Sequence, residues 1–332
     1  MRKTKKHSIE ALRFIFMLVI AVWHFGRINP FTHGYIAVDF YFILSGYLLY
    51  NSYNRHKYDA LQYTLAKLKR FYPEYFIIFV VAFFMKLNIL LRDSDTASVL
   101  MNSMSEGLLL HGVGIFDGSI NPASWYVSVL LVGGGILYST LYCNKKASLS
   151  FIFPILVLFS YTYLLGFNGS LEQFANDGFV SQCLLRGMAG MALGTILAAF
   201  KDRYTMVLEK KSRWLDVACL LAVIIVCVVL FSAMHYDRFA LLAFSILVIS
   251  CFVPSTLINR VFKSGVWMKL GGITFEMLLV HCPIIWVINN LTRSIILSPI
   301  GFLGLTIVYI ILVLLSSVAL KFIGKKFNKI II

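Results

Sequence analysis

Charged side chains are scarce in this sequence. Asp, Glu, Lys and Arg make up 14% of the 332 residues, whereas a soluble domain carries roughly 25%. Hydrophobic residues account for 59%, and the mean hydropathy is +0.82. The length alone would suggest two soluble domains, but repeated apolar runs fill the chain and leave no room for them. The composition therefore excludes a soluble globular protein and indicates an integral membrane protein.

Cysteine and histidine are also few, and neither is spaced as metal ligands are. The six cysteines are scattered through or beside apolar segments, and no C-x-x-C pair occurs. We interpret them as small buried apolar residues and expect neither a zinc site nor a disulfide framework. The sequence thus predicts no bound metal, because no ligand spacing links the histidines His24, His33, His111 and His281.

Acidic residues are half as numerous as basic ones, 15 against 30, which gives a net charge of +15. Most Lys and Arg residues fall on one side of the membrane if the N-terminus is cytoplasmic. This is the positive-inside pattern, so the basic excess reflects topology and does not indicate a nucleic-acid partner. The first apolar run imitates a signal peptide, but it contains Arg13 and His24 and no small-residue cleavage site follows. We therefore expect an uncleaved first helix.

Ten apolar segments are long enough to cross a bilayer as helices. The sequence therefore predicts an all-α integral membrane protein, a multi-pass bundle of about ten transmembrane helices in contact with membrane lipids. Both termini are predicted to be cytoplasmic, and residues 1–332 to form a single transmembrane domain. The predicted spans are about 9–27, 35–52, 72–91, 124–143, 149–167, 182–200, 214–234, 239–257, 270–291 and 300–322.

Three ionisable residues lie within the first two predicted helices: Arg13, His24 and Asp39. Charged groups in a bilayer are costly and usually mark a function or a pathway. Arg13 and His24 are 11 residues apart, which leaves them about 20° from alignment and roughly 16 Å apart along a helix. A fixed cation and a titratable imidazole are therefore predicted to share one helical face at two depths.

Asp39 is predicted at a depth similar to that of His24, on a helix antiparallel to the first. A carboxylate beside an imidazole fixes its tautomer and raises its basicity, as a general base near neutral pH requires. We therefore predict catalytic roles for His24 and Asp39. Simpler interpretations stay open. Arg13 can be an interfacial anchor paired with Glu10, His24 a hydrogen-bonded structural residue, and Asp39 a boundary residue facing water.

On the cytoplasmic side, Lys67 and Arg70 share a helical face beside the end that carries Arg13. Such a cluster can bind phosphates, although positive-inside anchoring alone would produce the same pattern. Arg186 precedes small residues at 187, 190 and 194, so it should face the bundle interior, where an anionic group could meet it.

On the outer side, residues 92–123 are predicted to remain external, with a short interfacial or re-entrant helix at 97–111. The glycine-rich residues 111–124 resemble a substrate-facing loop. Trp125 then opens the next span at the outer interface, where Trp concentrates.

Four stretches, in order along the chain, resemble signatures of the acyltransferase-3 family of membrane acyltransferases, which modify bacterial surface polysaccharides. Arg13 with His24 is similar to the family's R-x10-H signature. Residues 34–46 resemble its G-V-D-x-F-F-x-L-S-G pattern, and residues 67–73 resemble its R-x-x-R-x-x-P region with Lys in place of the first Arg. Residues 270–281 resemble its L-G-x-x-S-Y-x-x-Y-L-x-H stretch, with Glu where Gly is usual at 276.

The resemblance implies an acyl donor, usually acetyl-CoA on the cytoplasmic side, and a hydroxyl acceptor on a sugar outside a bacterial cytoplasmic (inner) membrane. It implies His24 as a catalytic residue, with Arg13, Lys67 and Arg70 in donor binding. We assign the remaining candidates to the acceptor, a polysaccharide or lipid-linked sugar: Arg186, Trp125 and His281.

We therefore predict an O-acyltransferase with His24 as general base, in which direct transfer and a transient acyl-His are both compatible with the residues. A transporter of a lipid-linked saccharide or small solute is the alternative, with Arg13, Arg186 and Asp39 lining its pathway. The sequence shows no internal repeat, which weakens the case for an inverted-repeat transporter. A third possibility is a polysaccharide-export accessory without chemistry of its own.

Overall fold

The computed structural model describes residues 7–26, 30–56, 58–93, 96–114, 119–172, 176–177, 180–295 and 298–331. The four Lys and Arg residues at positions 2–6, together with Arg27 and Lys57, belong to the basic excess discussed above and lie outside the described residues. Apart from connecting turns, the described chain is helical except for one short hairpin. In that hairpin, β1 (Asn176–Asp177) pairs antiparallel with β2 (Val180–Ser181), and Asn176 lies opposite Ser181.

Helices form over every apolar run because a chain in lipid has to satisfy its backbone hydrogen bonds internally. The described helices are α1 His7–Phe25, α2 Ala37–His56, α3 Ala60–Asp93, α4 Thr96–Gly107, α5 Trp125–Cys143, α6 Lys145–Ala147, α7 Phe153–Asn168, α8 Gln182–Arg203, α9 Thr205–Lys210, α10 Ser212–Phe231, α11 Asp237–Phe252, α12 Leu257–Val261, α13 Val266–Gly271, α14 Thr274–Leu291 and α15 Pro299–Ile331. A π-helical turn, Ser148–Ile152, joins α6 to α7.

The all-α class is confirmed, and helix occupies most of the described residues of each predicted span. Within the described residues, seven helical segments are long and apolar enough to cross a membrane. They correspond to α1, α5, α6 with α7, α8, α10, α14 and α15. α11 has only 16 residues, and a full crossing needs about 20. The chain is therefore a multi-pass membrane protein, while ten crossings and the side of each terminus stay predictions.

Two predicted boundaries are wrong. α3 begins at Ala60, so Pro73 lies inside the helix and does not open it. Residues 60–71 belong to the same helix as residues 72–93. The backbone N–H that Pro73 lacks weakens a helix without ending it. The predicted ninth span, 270–291, is divided: α13 ends at Gly271, and α14 begins at Thr274.

The glycines of α8 are packed closely, as predicted, and the helix against which they pack is α2. A Cβ atom built on Gly46 would lie 1.8 Å from the Met191 carbonyl oxygen, and one on Gly194 would lie 1.8 Å from the Ile43 carbonyl oxygen. Only glycine permits this backbone contact. The contact locks α8, which carries Arg186, against α2, which carries Asp39.

α1 lies in the interior of the bundle, whereas α7, α10 and α15 lie at its periphery. Most of the α1 side chains are buried, including Glu10 at 6% exposure. The outer helices expose large apolar side chains, as expected of surfaces that face lipid. Examples are Leu158, Phe159, Leu220, Ile224, Leu303 and Leu315.

Candidate active site

A cavity of about 340 Å³ lies between α1, α2, α3, α5, α14 and α15. Arg13 and His24 both line it, which confirms the predicted shared face of α1. The volume falls in the range of small-ligand sites, roughly 300–1,000 Å³. The separation of the two side chains follows from the helix: 11 residues correspond to about 16 Å of axial rise.

Arg13 is held from two directions. Its Nη1 donates to Oε2 of Glu10 at 2.8 Å, so the predicted i−3 ion pair is formed. The hydroxyl of Tyr41, which also lines the cavity, donates to the backbone carbonyl of Arg13. The Arg13 side chain remains 24% exposed. It is therefore anchored and still accessible from the cavity.

Three further cations line the same cavity: Lys67 and Arg70 of α3, and Lys321 of α15. The structure thus brings the predicted donor-binding residues Lys67 and Arg70 together with Arg13. From the sequence, Lys321 is only one of the basic residues of the positive-inside pattern. Its Nζ donates to the Gly272 carbonyl and lies 3.8 Å from Oε1 of Glu276.

His24 has a defined tautomer without help from a carboxylate. Its Nδ1 lies 2.9 Å from the backbone carbonyl of Ile20, one turn earlier on α1. A carbonyl oxygen only accepts, so Nδ1 carries the proton and the lone pair is on Nε2. Nε2 of His24 can therefore accept a proton.

The predicted contact between Asp39 and His24 is not formed. Both carboxylate oxygens of Asp39 accept from Arg186: Nε lies 3.3 Å from Oδ1 and 3.2 Å from Oδ2, and Nη2 lies 2.5 Å from Oδ2. The side chains are 0% and 3% exposed. Because a carboxylate in an apolar interior needs a charged partner, Arg186 takes the position that we assigned to the imidazole.

Arg186 is surrounded by protein acceptors. Besides Asp39, it donates through Nη1 to the Leu171 carbonyl at 2.6 Å and through Nη2 to the Tyr35 carbonyl at 3.0 Å. Arg186 does face the bundle interior, as predicted. The anionic group that it meets there is Asp39, outside the residues that line the cavity.

His281 lies next to His24, with 5.0 Å between the ring centroids. Its Nδ1 lies 2.8 Å from the Leu278 carbonyl, so the lone pair is again on Nε2, which is 3.4 Å from Sγ of Cys282. His281 is fully buried. Two imidazoles of the same tautomer are thus in contact, and His24 is the one that lines the cavity.

Trp125 lines the cavity together with Ala123 and Tyr126. The loop before it is fixed by Glu106, a residue that our sequence reasoning passed over. The Glu106 carboxylate accepts from the backbone N–H of Ile120 at 2.5 Å and of Asn121 at 3.0 Å. Asn121 in turn donates through Nδ2 to the Leu279 carbonyl of α14 at 2.9 Å. This wall of the cavity is therefore supported by a buried carboxylate, whose pKa burial raises.

Apolar helices around this cleft define a membrane-embedded protein whose cavity is lined by four cations and by the imidazole of His24. In a comparison with protein families, the acyltransferase-3 model, described as an acyltransferase domain, matches residues 6–322. The chain therefore belongs to the acyltransferase-3 family and is a membrane acyltransferase. Searches of curated proteins and of solved structures find no match.

Proposed function

We propose that this acyltransferase moves an acyl group, acetyl in the simplest case, from acyl-CoA on the cytoplasmic side to a hydroxyl of an extracytoplasmic polysaccharide or lipid-linked sugar. The setting that we propose is the bacterial cytoplasmic membrane. One observation carries the proposal: Arg13 and His24 line a single cavity that also contains Lys67, Arg70 and Lys321. A nucleotide-tailed thioester needs this combination of cations and a distant base.

The donor fits the cavity in charge and in reach. Arg13, Lys67 and Arg70 would hold its phosphates, and Arg is well suited to bidentate phosphate contacts. A pantetheine arm is extended and about as long as the axial distance of roughly 16 Å between Arg13 and His24. The thioester carbonyl would then lie beside the imidazole.

Nε2 of His24 would remove the proton from the acceptor hydroxyl as that oxygen attacks the thioester carbonyl. A C–O bond forms, the C–S bond breaks, and the departing thiolate takes the proton from the imidazolium. General base assistance of this kind contributes roughly 10²–10⁴-fold. Direct transfer in this form needs no covalent enzyme intermediate.

We assign the other predicted residues less direct roles. Asp39 and Arg186 are positioning residues, because their mutual hydrogen bonds tie α2 to α8 beside the cavity. Trp125 offers an aromatic face to a sugar acceptor at the outer end. His281 packs against His24 and would orient it or the acceptor.

The test compares surface glycans from strains that express the wild type, His24→Ala, or His56→Ala. His56 is exposed at the end of α2 and serves as the matched histidine control. We expect ester signals in the NMR spectrum to be lost in His24→Ala alone, with the variant present in the membrane at the wild-type level. Retention of the ester in His24→Ala would refute the role of the base. CoA-independent transport of a saccharide by the wild type would refute the proposed reaction.

A further inference from the structure

Two buried carboxylates line the cavity beside its cations: Glu74 of α3 and Glu276 of α14. Their residues are only 8% and 6% exposed. Oε2 of each has no hydrogen-bond partner among the residues that the structure describes. A buried acceptor without a partner is costly and rare in native proteins. Two in one cavity call for an explanation.

The neighbouring cations do not donate hydrogen bonds to these two Oε2 atoms. Arg13 is already paired with Glu10 at 2.8 Å. Lys321 approaches Glu276 only at 3.8 Å, through Oε1, so Oε2 stays available. Glu74 is pressed against α15, where a Cβ built on Gly324 would lie 2.6 Å from its Oε1. In both residues Oε1 lies close to another part of the protein, and Oε2 has no hydrogen-bond partner among the described residues.

The two carboxylates lie along the path that a donor would follow. Glu74 is one helical turn beyond Arg70 on α3, and Glu276 is in the first turn of α14, five residues before His281. A ligand with its anionic end at Arg70 and its reactive end beside the imidazoles would pass both. What passes them has to carry hydrogen-bond donors, because a carboxylate oxygen only accepts.

We propose that Glu74 and Glu276 accept hydrogen bonds from the amide N–H and hydroxyl groups of the carrier arm of the acyl donor. This inference rests on the proposed function and makes it narrower. The donor is a thioester on a pantetheine-type arm, and a phospholipid acyl ester, whose tails offer no N–H group, is excluded. Glu74 and Glu276 then determine specificity for the arm, while Arg70 and Lys67 bind the phosphates.

The experiment measures binding to the full-length protein in lipid nanodiscs by calorimetry with three probes. CoA carries both parts, pantetheine is the arm alone, and adenosine 3′,5′-bisphosphate is the nucleotide end alone. The variants are Glu276→Leu, which removes the acceptor, and Glu276→Gln, which keeps an acceptor oxygen without the charge. Glu209→Leu, an exposed acid on α9, is the control.

We expect Glu276→Leu to weaken the binding of CoA and pantetheine by about 10-fold or more, the effect of one hydrogen bond to a charged group. Binding of the bisphosphate should stay within about 2-fold, since its phosphates would be bound by Arg70 and Lys67 and not by this carboxylate. Glu276→Gln should recover part of the lost affinity. Arg70→Ala should show the reverse pattern: it should weaken the binding of the bisphosphate and leave the binding of pantetheine unchanged.

Equal losses for pantetheine and bisphosphate, or unchanged pantetheine binding in Glu276→Leu, would overturn the inference while leaving the acyl-CoA reaction intact. A wild type that binds neither CoA nor pantetheine would overturn the proposed function itself. Gly324→Ala is an independent check, because the new methyl group displaces the Glu74 carboxylate without removing it. It should also weaken the binding of pantetheine and leave the binding of the bisphosphate unchanged. Thermal unfolding of each variant verifies that the fold is kept.

Discussion

Removing both members of the Asp39–Arg186 pair should destabilise the protein less than the two single removals added together. Asp39→Leu leaves the guanidinium of Arg186, 3% exposed, without its anion. An uncompensated buried charge of this kind costs about 3–5 kcal/mol. Arg186→Met strands the carboxylate in the same way. In the double variant both charges are absent, and only the Leu171 and Tyr35 carbonyls lose their donor.

The double variant should therefore be more stable than the sum of the single effects predicts. Each stranded carbonyl costs roughly 1–3 kcal/mol, so recovery is partial, and we expect a favourable coupling energy of about 2 kcal/mol. The assay is a double-mutant cycle of unfolding free energies in one detergent. Acyl transfer is measured in parallel, well below the lowest unfolding temperature.

The two readouts separate a positioning role from a direct one. If Asp39 acts through the contact of α2 with α8, the double variant keeps transfer within about 10-fold of the wild type, since His24 keeps its bond to Ile20. Additive single effects would refute the buried-pair argument. A stable Asp39→Leu variant without transfer would restore Asp39 to direct partnership with the imidazole.

Three further outcomes are expected. Arg70→Ala should raise KM for acyl-CoA by about 10–100-fold with kcat little changed. Lys69 is the exposed residue next to Arg70, and Lys69→Ala should have no effect in the same steady-state assay. Gly194→Ala should lower the free energy of unfolding by about 1–3 kcal/mol in a thermal unfolding assay, because the new Cβ would clash with the Ile43 carbonyl oxygen. A Cβ on Gly166 would have no neighbour within 4 Å, so Gly166→Ala should be neutral. Burial lowers the pKa of His111 from 6.5 to about 4, so the unfolded chain binds this proton more readily and stability should fall as the pH drops from about 6.5 toward 4. His111→Gln should lack that part of the decline in pH-dependent unfolding, and an identical decline would contradict the assignment.

The parts of the site that lie on one helix could be predicted from the sequence. Arg13 and His24 are on α1, and regular helix geometry alone aligns them on one face. The helical runs follow equally from local hydrophobicity. The carboxylate partner of the imidazole could not be predicted, because Asp39 bonds to Arg186, 147 positions away. Which helix lies beside α2 depends on the glycine contacts of α8, and spacing within α2 carries no information about it.

Two residues that line or support the cavity, Lys321 and Glu106, could not be recognised from the sequence. Lys321 resembles a topology charge, since basic residues at a cytoplasmic helix end are expected in any membrane protein. Glu106 lies in the segment predicted to be external, where an acidic residue usually indicates solvent. The division of the ninth span at residues 272–273 gave no clear signal either, because glycines in membrane helices more often indicate packing. A charge at a span boundary therefore has to be tested against the whole bundle.

The central position of α1 has a consequence for synthesis. The ring of Tyr309 stacks on Phe25 at 4.5 Å, and its hydroxyl donates to the Ala21 carbonyl at 3.1 Å, so α1 is covered by a segment that is synthesised 288 residues later. Until α15 arrives, a segment that carries Glu10, Arg13 and His24 has to wait in the bilayer or beside the insertion machinery. Nascent chains that stop before α15 should therefore be recognised and degraded, although most of their helices are already in place.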